Sequence, residues 1–213
     1  MRPPEGWASA RVTIVIAGVT AAAWILTTAV IDLEIAAVWG GFIPSRVNGM
    51  AGDHLLAPVW ITPLTATLIH AGIIHLLFNM MILLFCGRPV ETILGGANLA
   101  ILYVLGAYAA AAAHYVSSPD DAIPMVGASG AISAVLGAYA MLFGRNRVKI
   151  RNSTAALVVN ALWLGVAWIL LQILAGYTFG ILDARLAIAA HIGGFLAGLI
   201  LARPLLLWRY RGA

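Results

Sequence analysis

The chain has 213 residues, of which 62% are hydrophobic and 9% charged, with a net charge of +4. A soluble domain carries about a quarter charged residues. A mean hydropathy of +0.98 therefore excludes a water-coated globule and makes the bilayer the solvent. Only helices and closed barrels satisfy their backbone there. Barrel strands need period-two alternation, and the sequence shows long apolar runs instead, so the expected fold is an all-α bundle. The single cysteine, Cys86, excludes an intramolecular disulfide and reads as a small packing residue. No CxxC or HExxH occurs, so neither a metal site nor a cofactor is expected.

Residues 1–11 carry Arg2, Glu5 and Arg11, and the uncharged run 12–31 follows. Twenty residues at ~1.5 Å each span the ~30 Å hydrocarbon layer. The run exceeds the ~7–15 apolar residues of a secretory leader, so it reads as a retained span. Residues 32–64 form a long connection broken by Pro44, Pro58 and Pro63. Trp39 and Trp60 place part of it in the headgroup layer. The second span is expected over roughly 73–85, ending at Gly87-Arg88-Pro89, and holds His75 and Asn79. The third covers roughly 99–116 and the fourth 129–143, which opens at Ser129. The fifth covers 155–177 and the sixth 185–202, the whole forming one domain over 1–213.

Between these spans the charges alternate. The N-terminal segment sums to +1, the first loop to −2, the second to zero and the third to −2. The fourth, with Arg145, Arg147, Lys149 and Arg151, sums to +4, the fifth to zero and the C-terminal segment to +3. By the positive-inside rule both termini are cytoplasmic. The basic cluster thus reads as a topology signal and not as a nucleic-acid patch, with contact to anionic lipid as a secondary role.

In this topology the second, fourth and sixth spans run from outside to inside. His75, Asn79 and Ser129 stand near the starts of their spans, and His191 stands ~9 Å of helical rise beyond Arg185. All four fall at one depth in the outer half of the membrane, where polar side chains face a bundle interior or a wet cavity. Ser129 reads either as a helix N-cap or as a nucleophile. His191 could serve it as base, and Asn79, His75 and the Ser129 amide could stabilise an oxyanion, the set that acyl transfer needs. Gly127 and Gly130 flank the serine, and Gly194 and Gly198 repeat at the spacing that lets two helices approach closely. The stretch is not the GxSxG elbow of soluble hydrolases, because Ala131 holds the last position.

Three stretches, His70-xxxx-His75-Leu-Leu-Phe-Asn79-Met, Gly127-Ala-Ser129-Gly130 and Ala190-His191-Ile-Gly193-Gly194-xxx-Gly198, resemble the rhomboid family of intramembrane serine proteases over roughly 12–203. The resemblance implies a six-transmembrane-helix rhomboid-like bundle and a Ser129–His191 dyad with Asn79 and His75 at the oxyanion. His70 is implied as a supporting residue. Asp120, Asp121 and Asp183 read as outward-loop acids. A hydrolase inside a bilayer needs a wet cavity open to one side, which makes the fifth loop, around 177–183, a candidate lid. The fifth span, with Trp163 and Trp168, resembles the family's lateral gate against the second span. Two departures stand out. Many relatives carry an aromatic residue one turn after the serine, where this chain has Ser133, and Trp-Arg in the first loop, where it has Ile61-Thr62. The expected function is hydrolysis of single-span membrane-protein substrates in the plasma membrane. The rivals are a non-catalytic relative that binds membrane segments, and a small transporter lined by the same polar residues.

Overall fold

The computed structural model describes residues 10–49, 56–143, 153–178 and 188–211. Among them the regular elements are helical, with one isolated bridge between Phe42 and Met125. In chain order the α-helices are α1 (Arg11–Val30), α2 (Leu33–Gly40), α3 (Thr62–Thr65), α4 (Ile73–Leu94), α5 (Gly96–Ser117), α6 (Ser129–Phe143), α7 (Ser153–Thr178) and α8 (Ile188–Arg209). Short 3-10 turns occupy Pro44–Asn48 and Ala66–Leu68. Helices α1, α4, α5 and α8 are long and apolar enough to cross a membrane, and α6 and the stretch Val158–Leu171 of α7 are shorter apolar helices. The basic cluster 145–151, Asp53, Asp183 and Arg185 lie outside the described residues.

Helix α6 is the centre of the bundle. Every residue from Ser129 to Ala138 is buried, because its neighbours come close on several sides. A Cβ on Gly106 of α5 would overlap that of Ala134, and a Cβ on Gly137 would overlap the Phe195 carbonyl of α8. The outer helices show lipid-type faces, such as Val15, Leu26, Leu77, Phe85, Leu162 and Ile200.

Two helices run past the ends expected from sequence. Helix α4 continues through Gly87-Arg88-Pro89 to Leu94. Proline removes one backbone bond, but Pro89, Val90 and Leu94 are all buried, and that packing carries the helix on. Gly87 is a contact surface here: a Cβ would stand 2.8 Å from Thr13 Cγ2 of α1. The turn comes at Gly95, whose φ of 84° suits glycine. Helix α8 likewise passes Pro204 and ends at Arg209. There the Arg209 guanidinium donates to the Thr92 carbonyl at 2.8 Å, satisfying a C-terminal carbonyl of α4. Asn98 adds bonds to the Leu94 and Leu205 carbonyls, each at 3.0 Å.

The described parts of the first connection are tied to the segment before α6. Asp32 caps α2, accepting from the Glu34 amide at 2.8 Å. Thr65 donates to the Gly40 carbonyl at 2.6 Å. Phe42 and Met125 exchange backbone bonds of 3.0 and 2.8 Å, and the Gly127 amide donates to the Ala66 carbonyl at 2.9 Å. Residues 125–127 are therefore held by the first loop, which fixes where α6 begins.

Candidate active site

Ser129 is the first residue of α6, and its side chain is buried. Gly127 precedes it at φ 112°, a conformation open to glycine. The same glycine leaves room for the His75 ring, since a Cβ there would sit 2.6 Å from His75 Cε1. The amides of a helix's first turn have no partner within the helix, so the start of α6 offers donors at the level of the Ser129 hydroxyl.

His191 comes from α8, 62 residues further along, and is 5% exposed. Its Nε2 and Ser129 Oγ are hydrogen-bonded at 2.7 Å. Backbone contact makes this possible. A Cβ on Gly194 would overlap the Gly130 carbonyl oxygen, and one on Gly198 would overlap that of Ala134. With no side chain between them, α6 and α8 lie nearly backbone to backbone, and the imidazole spans the remaining distance. A hydroxyl bonded to a neutral imidazole nitrogen can give up its proton as oxygen attacks an electrophile.

Asn79 and His75 lie on one face of α4, and Asn79 is buried. The Asn79 amide donates to the His75 carbonyl at 3.0 Å, leaving its second N–H for another acceptor. His75 packs edge-on against His70, with ring centroids 5.0 Å apart. His70 is fully buried, and its Nε2 accepts the Ala128 amide at 3.4 Å. Burial first, and the nearby His75 second, push His70 from its ordinary value of 6.5 down to about 3, so the ring is neutral and Nε2 is free to accept. Its backbone carbonyl receives the Trp24 indole N–H at 3.1 Å. His70 therefore braces the residue just before Ser129.

The acids of the third loop are occupied away from this pair. Asp120 Oδ1 receives Asn48 Nδ2 at 3.4 Å, and Asp121 Oδ1 receives the Ile123 amide at 3.0 Å. Among the described residues no three His, Cys, Asp or Glu side chains converge as a metal site would require.

The sequence names Trp168 only beside Trp163 at the expected gate, and does not show that its indole turns inward to the pair. The two tryptophans of α7 face opposite ways: Trp163 is 67% exposed and Trp168 only 4%. Trp168 Nε1–H donates to Ser133 Oγ at 2.8 Å, and Ser133 Oγ donates to the Ser129 carbonyl at 2.7 Å. The Trp168 and His191 rings meet edge to face, with centroids 6.4 Å apart. An apolar run such as α7 carries no mark of which tryptophan turns inward. The one available signal was the small Ser133, which leaves a space to be filled.

A sequence profile of the Rhomboid domain matches residues 57–208. The chain belongs to the rhomboid family. It is a membrane protein of that family. The rhomboid protease GluP of Bacillus subtilis is 31% identical over 148 residues, covering 68% of this chain and 26% of that protein. The rhomboid protease GlpG of Pectobacterium atrosepticum is 31% identical over 135 residues, covering 63% and 45%. RHOMBOID-like protein 5 of Arabidopsis thaliana is 31% identical over 154 residues, covering 72% and 44%. The chain thus spans between about a quarter and a half of the length of these relatives.

Proposed function

We propose that this rhomboid is an intramembrane serine endopeptidase that hydrolyses peptide bonds in or near the transmembrane segments of single-span membrane proteins. The observation that carries the reading is the buried 2.7 Å contact between Ser129 Oγ and His191 Nε2 at the start of a helix. Ser129 Oγ attacks the scissile carbonyl carbon while His191 Nε2 takes its proton. The carbonyl oxygen becomes an oxyanion, stabilised by the Asn79 side chain, His75 and the Ser129 amide. His191 then returns the proton to the leaving amine. Water, deprotonated by His191, releases the acyl group from Ser129 by the same steps in reverse order.

The depth of the pair fits this chemistry. Helix α6 has 15 residues, about 22 Å of rise against a hydrocarbon layer of ~30 Å. With its far end at one interface, Ser129 lies below the other. A peptide bond in a regular helix hides its carbonyl in an internal hydrogen bond, so the substrate must unwind locally to be cut. The alternation of charge between spans supports a single six-span unit with both termini cytoplasmic and the Ser129 side facing outward, in the plasma membrane.

The test is cleavage of a single-span substrate in liposomes by wild type, Ser129→Ala and His191→Ala. Cutting by wild type alone supports the reading. Binding without cutting across several substrates favours a non-catalytic relative. Ion flux that survives Ser129→Ala favours a transporter.

A further inference from the structure

Little side-chain bulk stands beside His191 on its own helix. Three residues further along α8 is Gly194, which has no side chain to lean on the imidazole, and Gly193 stands beside it. Across the interface, α6 presents Ser133, which is fully buried and also small. The χ2 torsion of histidine is broad, so the ring needs a wall to keep Nε2 aimed at Ser129 Oγ. At Ser133 and Gly194 the facing positions of α6 and α8 are small.

The wall comes from α7. Trp168 is buried although much of the rest of α7 is exposed, including Val158, Leu162, Trp163, Val166, Leu170 and Leu174. Its ring meets the His191 ring at 63° with centroids 6.4 Å apart, within the usual range for an edge-to-face pair. A buried indole N–H needs an acceptor, and Ser133 Oγ provides it at 2.8 Å. That hydroxyl keeps its own hydrogen for the Ser129 carbonyl. The indole thus touches both sides of the pair: the imidazole through its ring, and the backbone of Ser129 through one intervening hydroxyl. A large residue at 133 would occupy this space, and the small Ser133 admits the side chain of another helix.

We propose that Trp168 is a positioning residue for His191, its indole clamped by Ser133 and bearing on one side of the imidazole, so that the seating of α7 against α6 and the alignment of His191 on Ser129 occur together. This inference rests on the endopeptidase reading, and it assigns to a helix outside the Ser129–His191 pair the control of that pair's geometry.

The experiment uses the full chain in proteoliposomes and reads two signals. One is kcat and KM for a single-span peptide. The other is the rate at which Ser129 is labelled by a fluorophosphonate, which needs no protein substrate. Misplacing a catalytic group by ~1 Å costs up to ~10²-fold, so Trp168→Ala should lower kcat and labelling together by ~10–100-fold while KM stays within a few-fold. Trp168→Phe keeps a ring and should keep both rates within about fivefold of wild type. The double variant Trp168→Ala with Ser133→Phe, which supplies a ring from α6 instead, should recover much of the lost rate. A role confined to packing α7 would not be rescued from α6.

Unchanged kcat and labelling in Trp168→Ala overturn the proposal, as does an effect on KM alone. If Trp168→Ala does not fold, Trp168→Leu decides: it preserves apolar bulk without a ring or donor, and wild-type rates there overturn the proposal. Wild type that neither cuts nor labels, while Ser129→Ala behaves identically, removes the endopeptidase reading and this inference with it. Normal wild-type activity with an indifferent Trp168 removes this inference alone.

Discussion

Glu91 on α4 binds Thr13 on α1 twice: its Oε2 accepts the Thr13 amide at 2.7 Å and the Thr13 hydroxyl at 2.6 Å. Its other oxygen accepts the Val12 amide at 2.9 Å. Helix α1 has no N-cap side chain of its own, because Ala10 stands in that position. A carboxylate from another helix therefore meets the unpaired amides and the positive end of the α1 dipole. Glu91→Ala leaves several buried donors unsatisfied, and each costs about 1–3 kcal/mol. The expected result is a loss of about 3 kcal/mol or more, seen as a lower thermal midpoint in detergent. Thr13→Val removes only the hydroxyl bond and should cost about 1 kcal/mol.

Helices α6 and α8 leave no room for a Cβ at Gly137, Gly194 and Gly198. Gly198→Ala would drive a methyl group into the Ala134 carbonyl, and Gly194→Ala into that of Gly130. Overpacking of this kind costs ~1–3 kcal/mol or more. Gly194→Ala should also separate His191 from Ser129 and reduce cleavage by at least ~10-fold. Gly18→Ala on α1 is the control. Nothing lies within 4 Å of a Cβ there, and the change should raise stability by up to about 1 kcal/mol.

Gly127 and His75 form a coupled pair. Gly127→Ala meets the His75 ring at 2.6 Å and strains a φ of 112°. Such strain costs about 1–3 kcal/mol, and the ring clash adds to it. In the double variant with His75→Ala the clash disappears and the strain remains. Unfolding midpoints should therefore show the second change costing less in the Gly127→Ala background than in wild type, by ~1 kcal/mol or more. Simple additivity would mean that the two do not touch.

Asn79→Ala should lower kcat by ~10²–10³-fold, as loss of an oxyanion donor does, with the fold intact by circular dichroism. A change of less than ~3-fold would remove Asn79 from the oxyanion assignment.

The membrane character was legible from composition, since a chain with 9% charged residues cannot face water over its whole surface, and the all-α character from long apolar runs without period-two alternation. So were the polar side chains Ser129, His191, His75 and Asn79, which stand out against apolar surroundings. The helix ends were less legible. Pro89 and Pro204 are stop signals by propensity, and the buried contacts of Val90, Leu94 and Leu205 override them. Glu91 falls in the second connection, whose charges sum to zero, and nothing local marks its role, because its partners are amides 78 and 79 residues away. Trp168 was the hardest to read. In a helix that is apolar all round, periodicity does not separate the inner face from the outer one.

The indole of Trp168 gives this chain a point of attack that does not pass through water. Its helix presents Leu162, Trp163, Leu170 and Leu174 outward, so a greasy small molecule dissolved among lipid tails could reach the seam between α6 and α7 from the side. Wedged there, it would swing the indole away and loosen the imidazole, slowing the proposed cleavage without competing with substrate for Ser129.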